Sequence, residues 1–143
     1  MRKSILKIST ESCFFGPDQI IKTSFCFYEV KNDCVLRKRI YMSEGTMQQQ
    51  RFILDISVLN NFLLRLAKIN IFLPIAFDMG CDGGFTEIEI GGYEGSFKFR
   101  WWSEPPLSLR ELSEVVYEFI DLIEKKTSNN VSIADKEGIK NDI

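Results

Sequence analysis

Apolar and polar residues alternate most regularly between Phe85 and Trp102. In the first half Thr86, Ile88 and Ile90 share one face and Phe85, Glu87 and Glu89 the other. The second half sets Phe97, Phe99 and Trp101 against Ser96, Lys98, Arg100 and Trp102. Gly91-Gly92-Tyr93-Glu94 between them suits a short hairpin loop, since glycine takes positive φ at little steric cost. With Ile90 opposite Gly95, Ile88 meets Phe97 in the core and Glu87 meets Lys98 outside. A slip by one residue would drive Lys98 and Arg100 inward, so a single register is expected. The adjacent tryptophans must point to opposite faces. Trp101 continues the core stripe. Trp102 falls with Lys98 and Arg100, either covered at a sheet end by Glu104-Pro105-Pro106 or exposed as part of a binding surface.

Pro105 and Pro106 end this strand. Ser108-x-x-Glu111 then has the form of a capping box. Leu109, Leu112, Val116, Phe119, Ile120 and Ile123 follow at helical spacing, and Lys125 and Lys126 complement the C-terminal dipole. Upstream, the pattern predicts strands at Lys3–Ser9, Ile20–Val30 and Cys34–Met42, the last two joined by a turn at Lys31-Asn32-Asp33. In the third strand Leu36, Ile40 and Met42 share a face with Lys38, leaving Arg37, Arg39 and Tyr41 outside. Gln48–Asp55 reads as a further strand or as the early part of a helix. Asp55 or Ser57 caps that helix, which runs to about Asn70 with Leu59, Phe62, Leu63, Leu66 and Ile69 on one side. The apolar run at 71–77, broken by Pro74, reads as an edge segment or buried connector.

The order βββ(β)αββα implies an α+β fold: one antiparallel sheet of five or six strands with two helices on one face. Residues 1–126 form a single domain and 127–143 a polar tail. The face away from the helices stays partly open. It carries Glu87, Glu89, Lys98, Arg100 and Trp102, with Tyr93 in the adjoining loop, and these six are the expected partner-binding residues.

Composition narrows the chemistry. A net charge of −2 and the absence of a membrane-length apolar run lead us to expect neither nucleic-acid nor membrane binding, and a cytoplasmic location. Arg37-Lys38-Arg39 is split by strand alternation and reads as a solvated strand face. The chain has no histidine, so a base working near neutral pH must be a carboxylate, lysine or cysteine. Glu87 and Glu89 read more simply as partners of Lys98 and Arg100. Asp78-x-x-x-Asp82 lacks the ligand pattern of a calcium loop, and Gly80–Gly84 lacks the Lys-Ser/Thr of a phosphate loop. Cys13, Cys26, Cys34 and Cys81 show no metal-ligand spacing and read as reduced thiols, with a Cys26–Cys34 cross-strand disulfide as the alternative. No cofactor, metal or catalytic group is expected.

The run from Asp82-Gly83 through the alternating strand to Arg100-Trp101-Trp102, Pro105-Pro106 and the Leu-rich helix resembles small bacterial α+β domains of unassigned function, including immunity-protein-like domains. The resemblance spans residues 82–124 and carries no transferable functional residue. It implies a protein that neutralises a partner, such as a toxin, by binding it. The other expectations are a self-associating component, such as a homodimer, and last a small-ligand-binding protein or enzyme.

Overall fold

A computed structural model describes residues 4–12, 19–70, 83–91 and 95–128. The 71–77 run, Asp78, Cys81, Asp82, Cys13, Tyr93 and the tail from 129 lie outside the described residues. Six strands form one antiparallel sheet: β1 (Leu6–Ser12), β2 (Ile20–Val30), β3 (Asp33–Met42), β4 (Met47–Asp55), β5 (Gly84–Gly91) and β6 (Ser96–Trp102). Helix α1 (Ile56–Leu66) follows β4, and α2 (Arg110–Ser128) follows β6. The strand order is β4-β3-β2-β1-β5-β6, so the first strand sits inside the sheet between two partners distant in sequence. This is the expected α+β architecture. The segment from Met47 resolves as strand, and α2 runs two residues past the boundary expected at 126.

The helix-facing side of the sheet is a continuous apolar layer. One row across the strands reads Phe52, Leu36, Phe27, Leu6 and Ile90, and the next places Phe25, Ile8 and Ile88 side by side. Against this layer α1 buries Leu59 and Phe62, and α2 buries Leu112, Val116, Phe119 and Ile123. Phe119 joins the three elements: its ring stacks on Phe62 at 3.9 Å and meets Phe27 at 5.4 Å. Lys38, on the helix-facing side of β3, reaches the edge of α2 and bonds both carboxylate oxygens of Glu124 at 3.1 Å. The polar tip thus finds a partner while the stem covers apolar surface.

Four expectations change. The β5–β6 register is shifted by two residues: Ile90 faces Phe97, Ile88 faces Phe99, Glu89 faces Lys98 and Glu87 faces Arg100. A two-residue shift keeps every side chain on its face, so hydrophobic alternation cannot distinguish the two pairings. Phe97 is 70 % exposed rather than core, because it lies on the edge strand at the end of the layer. The capping box does not form. Leu107–Leu109 is a tight 3₁₀ turn entered from Pro106, without a side-chain cap, and Ser108 Oγ is buried with no hydrogen-bond partner. Finally, α1 ends at Leu66. Lys68 and Ile69 close the chain with bonds back to the carbonyls three residues earlier, the tightening usual at helix ends. At its other end Asp55 accepts from the Ser57 amide at 2.9 Å, and that hydrogen bond holds its carboxyl below the ordinary range.

Two local features set testable energies. Trp101 is buried, and its indole N–H donates to the Tyr117 hydroxyl of α2 at 2.9 Å, with Thr86 at 3.3 Å from the same oxygen. Removing that oxygen in Tyr117→Phe leaves the indole without its acceptor. Chemical denaturation should show a loss of about 1–3 kcal/mol. Lys31, the first residue of the two-residue β2–β3 loop, holds φ at 56°. A side chain in that region costs about 1–2 kcal/mol, part of which glycine loses again through unfolded-chain entropy. Lys31→Gly should therefore stabilise the protein by about 0.5–1 kcal/mol in the same assay.

Candidate functional site

The face away from the helices is where strand pairing gathers charge. Its rows follow from the register. Arg51, Arg37, Cys26, Lys7, Glu89 and Lys98 form one, and Gln49, Arg39, Ser24, Ser9, Glu87 and Arg100 the next. A third runs Met47, Tyr41, Lys22, Glu11, Phe85 and Trp102. Reading across, the face divides into a mixed-charge half on β1, β5 and β6 and a cationic half on β2, β3 and β4.

The mixed half contains the expected site residues and is internally paired. Lys98 lies 3.5 Å from Glu89 and 3.8 Å from Glu87. Arg100 stacks over the Phe85 ring at 4.0 Å and reaches Glu11 at 4.0 Å. Glu87, Glu89, Lys98 and Arg100 are therefore brought together as expected, as a solvent-facing ion-pair network in which each pair contributes little to stability. Trp102 corrects the binding-surface reading: it is 7 % exposed and packs edge-on against Phe85 at 4.7 Å. Its burial comes with the seam that closes the sheet end. There the Ser103 hydroxyl accepts from the Gly84 amide at 2.8 Å. Gly84 itself lies so close to the Glu11 carbonyl that any side chain would collide with it.

The cationic half was missed at the level of sequence. Over residues 22–28, 35–41 and 47–53 its outer positions carry Lys22, Arg37, Arg39 and Arg51 and no carboxylate. Arg37 stands directly opposite Arg51. The Arg37 guanidinium lies over the Tyr28 ring at 5.3 Å and Lys22 over Tyr41 at 5.8 Å, while Arg39 Nε donates to Gln49 Oε1 at 2.7 Å. Beneath Arg37, Cys26, Tyr28 and Val35 form a small buried cluster of their own. Burial and the neighbouring Cys26 push the Tyr28 hydroxyl above its ordinary pKa, against the pull of Arg37 and Arg39. Arg37 and Arg39 are thus half-buried and built into the face rather than freely solvated. The sequence signal was the split Arg37-Lys38-Arg39 run, but Lys22 and Arg51 come from other strands and join it only through the pairing.

A cleft of about 450 Å³ opens at the sheet end, lined by the C-terminal end of β1 and the starts of β2 and β5. Thr23, Thr10 and Thr86 stand side by side along it, with Tyr117, Glu11 and Lys22 nearby. Its hydroxyls suit hydrogen bonding. Among the described residues no group of three or more His, Cys, Asp or Glu is placed to hold a metal ion, and no helix is long and apolar enough to cross a membrane.

Cys26 and Cys34 are free thiols. The disulfide alternative fails on geometry: Cys26 lies on the outer face and Cys34 in the helix-facing core, since Cys26 pairs with Arg37 and Cys34 with Glu29. Burial pushes the Cys34 thiol up to about 12, so at neutral pH it has almost no thiolate to offer as a nucleophile. In native protein at pH 8, iodoacetamide should modify Cys34 no faster than the chain unfolds, and at once in denaturant, as read by peptide mass mapping.

Comparison with protein-family models, with curated proteins and with solved structures found no match.

Proposed function

We propose that this protein is a non-catalytic protein-binding module that regulates or neutralises a partner by occluding it, in the manner of an immunity protein, and that it binds through the outer face of the sheet. The observation that carries the reading is the division of that face into an ion-paired half and a cationic half, a charge pattern suited to a complementary protein surface. The absence of histidine from the chain and the suppressed thiolate of Cys34 support a role without catalysis. Self-association is the second reading. It is favoured by Phe97, a large apolar side chain 70 % exposed on the edge strand β6, where a second copy could pair.

The test is a pull-down from native lysate with wild type, Arg100→Ala, Arg39→Ala and Glu118→Lys, the last on the exposed surface of α2. One stoichiometric partner should be retained by Glu118→Lys and weakened about 10-fold or more by at least one arginine variant of unchanged thermal midpoint. A partner held equally by both arginine variants would remove the outer face from consideration. A dimer by light scattering that Phe97→Ser converts to monomer would establish the second reading instead.

A further inference from the structure

We infer that the ion-paired half of the outer face binds the same face of a second copy of this chain, with β5 of one copy lying over β6 of the other. This rests on the reading of the outer face as a protein-binding surface and names the occupant of that half. Three observations carry it.

The first is the sorting of charge by strand. The outer positions of β5 carry Glu87 and Glu89, and those of β6 carry Lys98 and Arg100, each carboxylate directly across the ladder from a cation. Two columns of opposite sign and equal number therefore run side by side. A two-fold axis parallel to the strands and midway between them lays the acidic column of each copy on the basic column of the other. Glu87 then meets Arg100 and Glu89 meets Lys98, twice over, with no like charges directly facing. One surface serves as its own complement, as a two-fold interface requires. The contact uses sheet faces alone and needs neither edge of the sheet.

The second is bonding capacity left over within the chain. Lys98 approaches Glu89 and Glu87 only to 3.5 and 3.8 Å, and Arg100 approaches Glu11 only to 4.0 Å. A charge-assisted hydrogen bond is about 2.7–2.9 Å long. Elsewhere on this protein ion pairs do close, Arg65–Glu118 at 2.8 Å and Lys38–Glu124 at 3.1 Å. The side chains of Lys98 and Arg100 are 55 % and 48 % exposed, and that of Glu89 36 %. The network thus balances charge without consuming its donors and acceptors, and a facing copy can bond them. Its geometry is held in place: β5 lies between two strands, and the Arg100 guanidinium rests on the Phe85 ring at 4.0 Å. Arginine and aromatic side chains are enriched at protein interfaces.

The third is the poorer fit of other occupants. A segment of a single charge sign meets a like-signed column wherever it lies on this half. The phosphates of a nucleic acid are repelled by Glu87 and Glu89. The neighbouring half offers a second copy no such match, since its outer arginines on β3 and β4 share one sign. Two strands per copy make a small footprint, so the dimer is a weak one, favoured by high protein concentration and low salt.

The experiment is sedimentation velocity over a concentration series on wild type, on Glu87→Lys with Glu89→Lys, and on Lys98→Glu with Arg100→Glu. The first variant makes both columns basic and the second makes both acidic. Wild type should dimerise, with a dissociation constant about 10-fold or more weaker in about 0.5 M salt than in about 0.05 M. Each folded variant alone should be a monomer, and an equimolar mixture of the two should form a heterodimer. Thermal midpoints check folding. Should a reversal fail to fold, Glu87→Gln with Glu89→Gln keeps the shape, removes the charge and should weaken the wild-type dimer about 10-fold. A monomeric wild type, a dimer kept by the folded variants, or no heterodimer on mixing would overturn the inference. A lysate partner weakened by Arg100→Ala beside a monomeric wild type would overturn it while leaving the protein-binding reading standing. A dimer lost only in Phe97→Ser would overturn it in favour of the β6 edge.

Discussion

The sheet depends on the placement of β1 between β2 and β5. Seven residues supply both ladders, and the pairing continues beyond the strand, with the Ile5 amide bonded to the Phe27 carbonyl and the Gly91 amide to the Ile5 carbonyl. Without β1, the meander β2–β3–β4 and the hairpin β5–β6 would be two small sheets, each exposing apolar side chains at a new edge. With it, Leu6 joins Phe27 to Ile90 and Ile8 joins Phe25 to Ile88 in the apolar layer. Because both partners are distant in sequence, loop-closure entropy must be met before these contacts form, so this step belongs late in assembly.

The same placement fixes the functional geometry. Residues alternate in strands, so once β1 is seated every outer position on six strands is determined at once. The mixed-charge half comes from joining β1 to β5, which brings Glu11 to Arg100. The cationic half comes from the β2–β3–β4 meander, where arginines on neighbouring strands align. One sheet thus presents two electrostatic surfaces side by side, meeting at the buried serines Ser9 and Ser24 and, in the next row, at Glu11 opposite Lys22. The helices contribute indirectly: they cover the opposite face and pair its cation Lys38 with Glu124.

Stability and surface chemistry meet where side chains have two duties. Phe85 covers Trp102 while supporting Arg100, and Tyr28 closes a small buried cluster while carrying Arg37. The Tyr28 ring thus supports the Arg37 guanidinium at a position with no carboxylate directly across the ladder, whereas Arg100 on Phe85 also meets Glu11.

Local patterning determined, from the sequence alone, the α+β class, the element order, the division of each strand into inner and outer residues, and a helix cap at Asp55 or Ser57, which the structure resolves to Asp55. These rest on local periodicity and local hydrogen bonding, which neighbouring residues specify. The tertiary structure decided what depends on distant partners. It chose the β5–β6 pairing two residues away from the expected one, since both choices satisfy the same alternation. It buried Trp102 by bringing Phe85 against it and exposed Phe97 by making β6 an edge. It replaced the capping box at Ser108 with a 3₁₀ turn. It also aligned Lys22, Arg37, Arg39 and Arg51, residues spread over thirty positions, into one surface. Charge along a chain has no face until strands pair, and here the pairing supplied it.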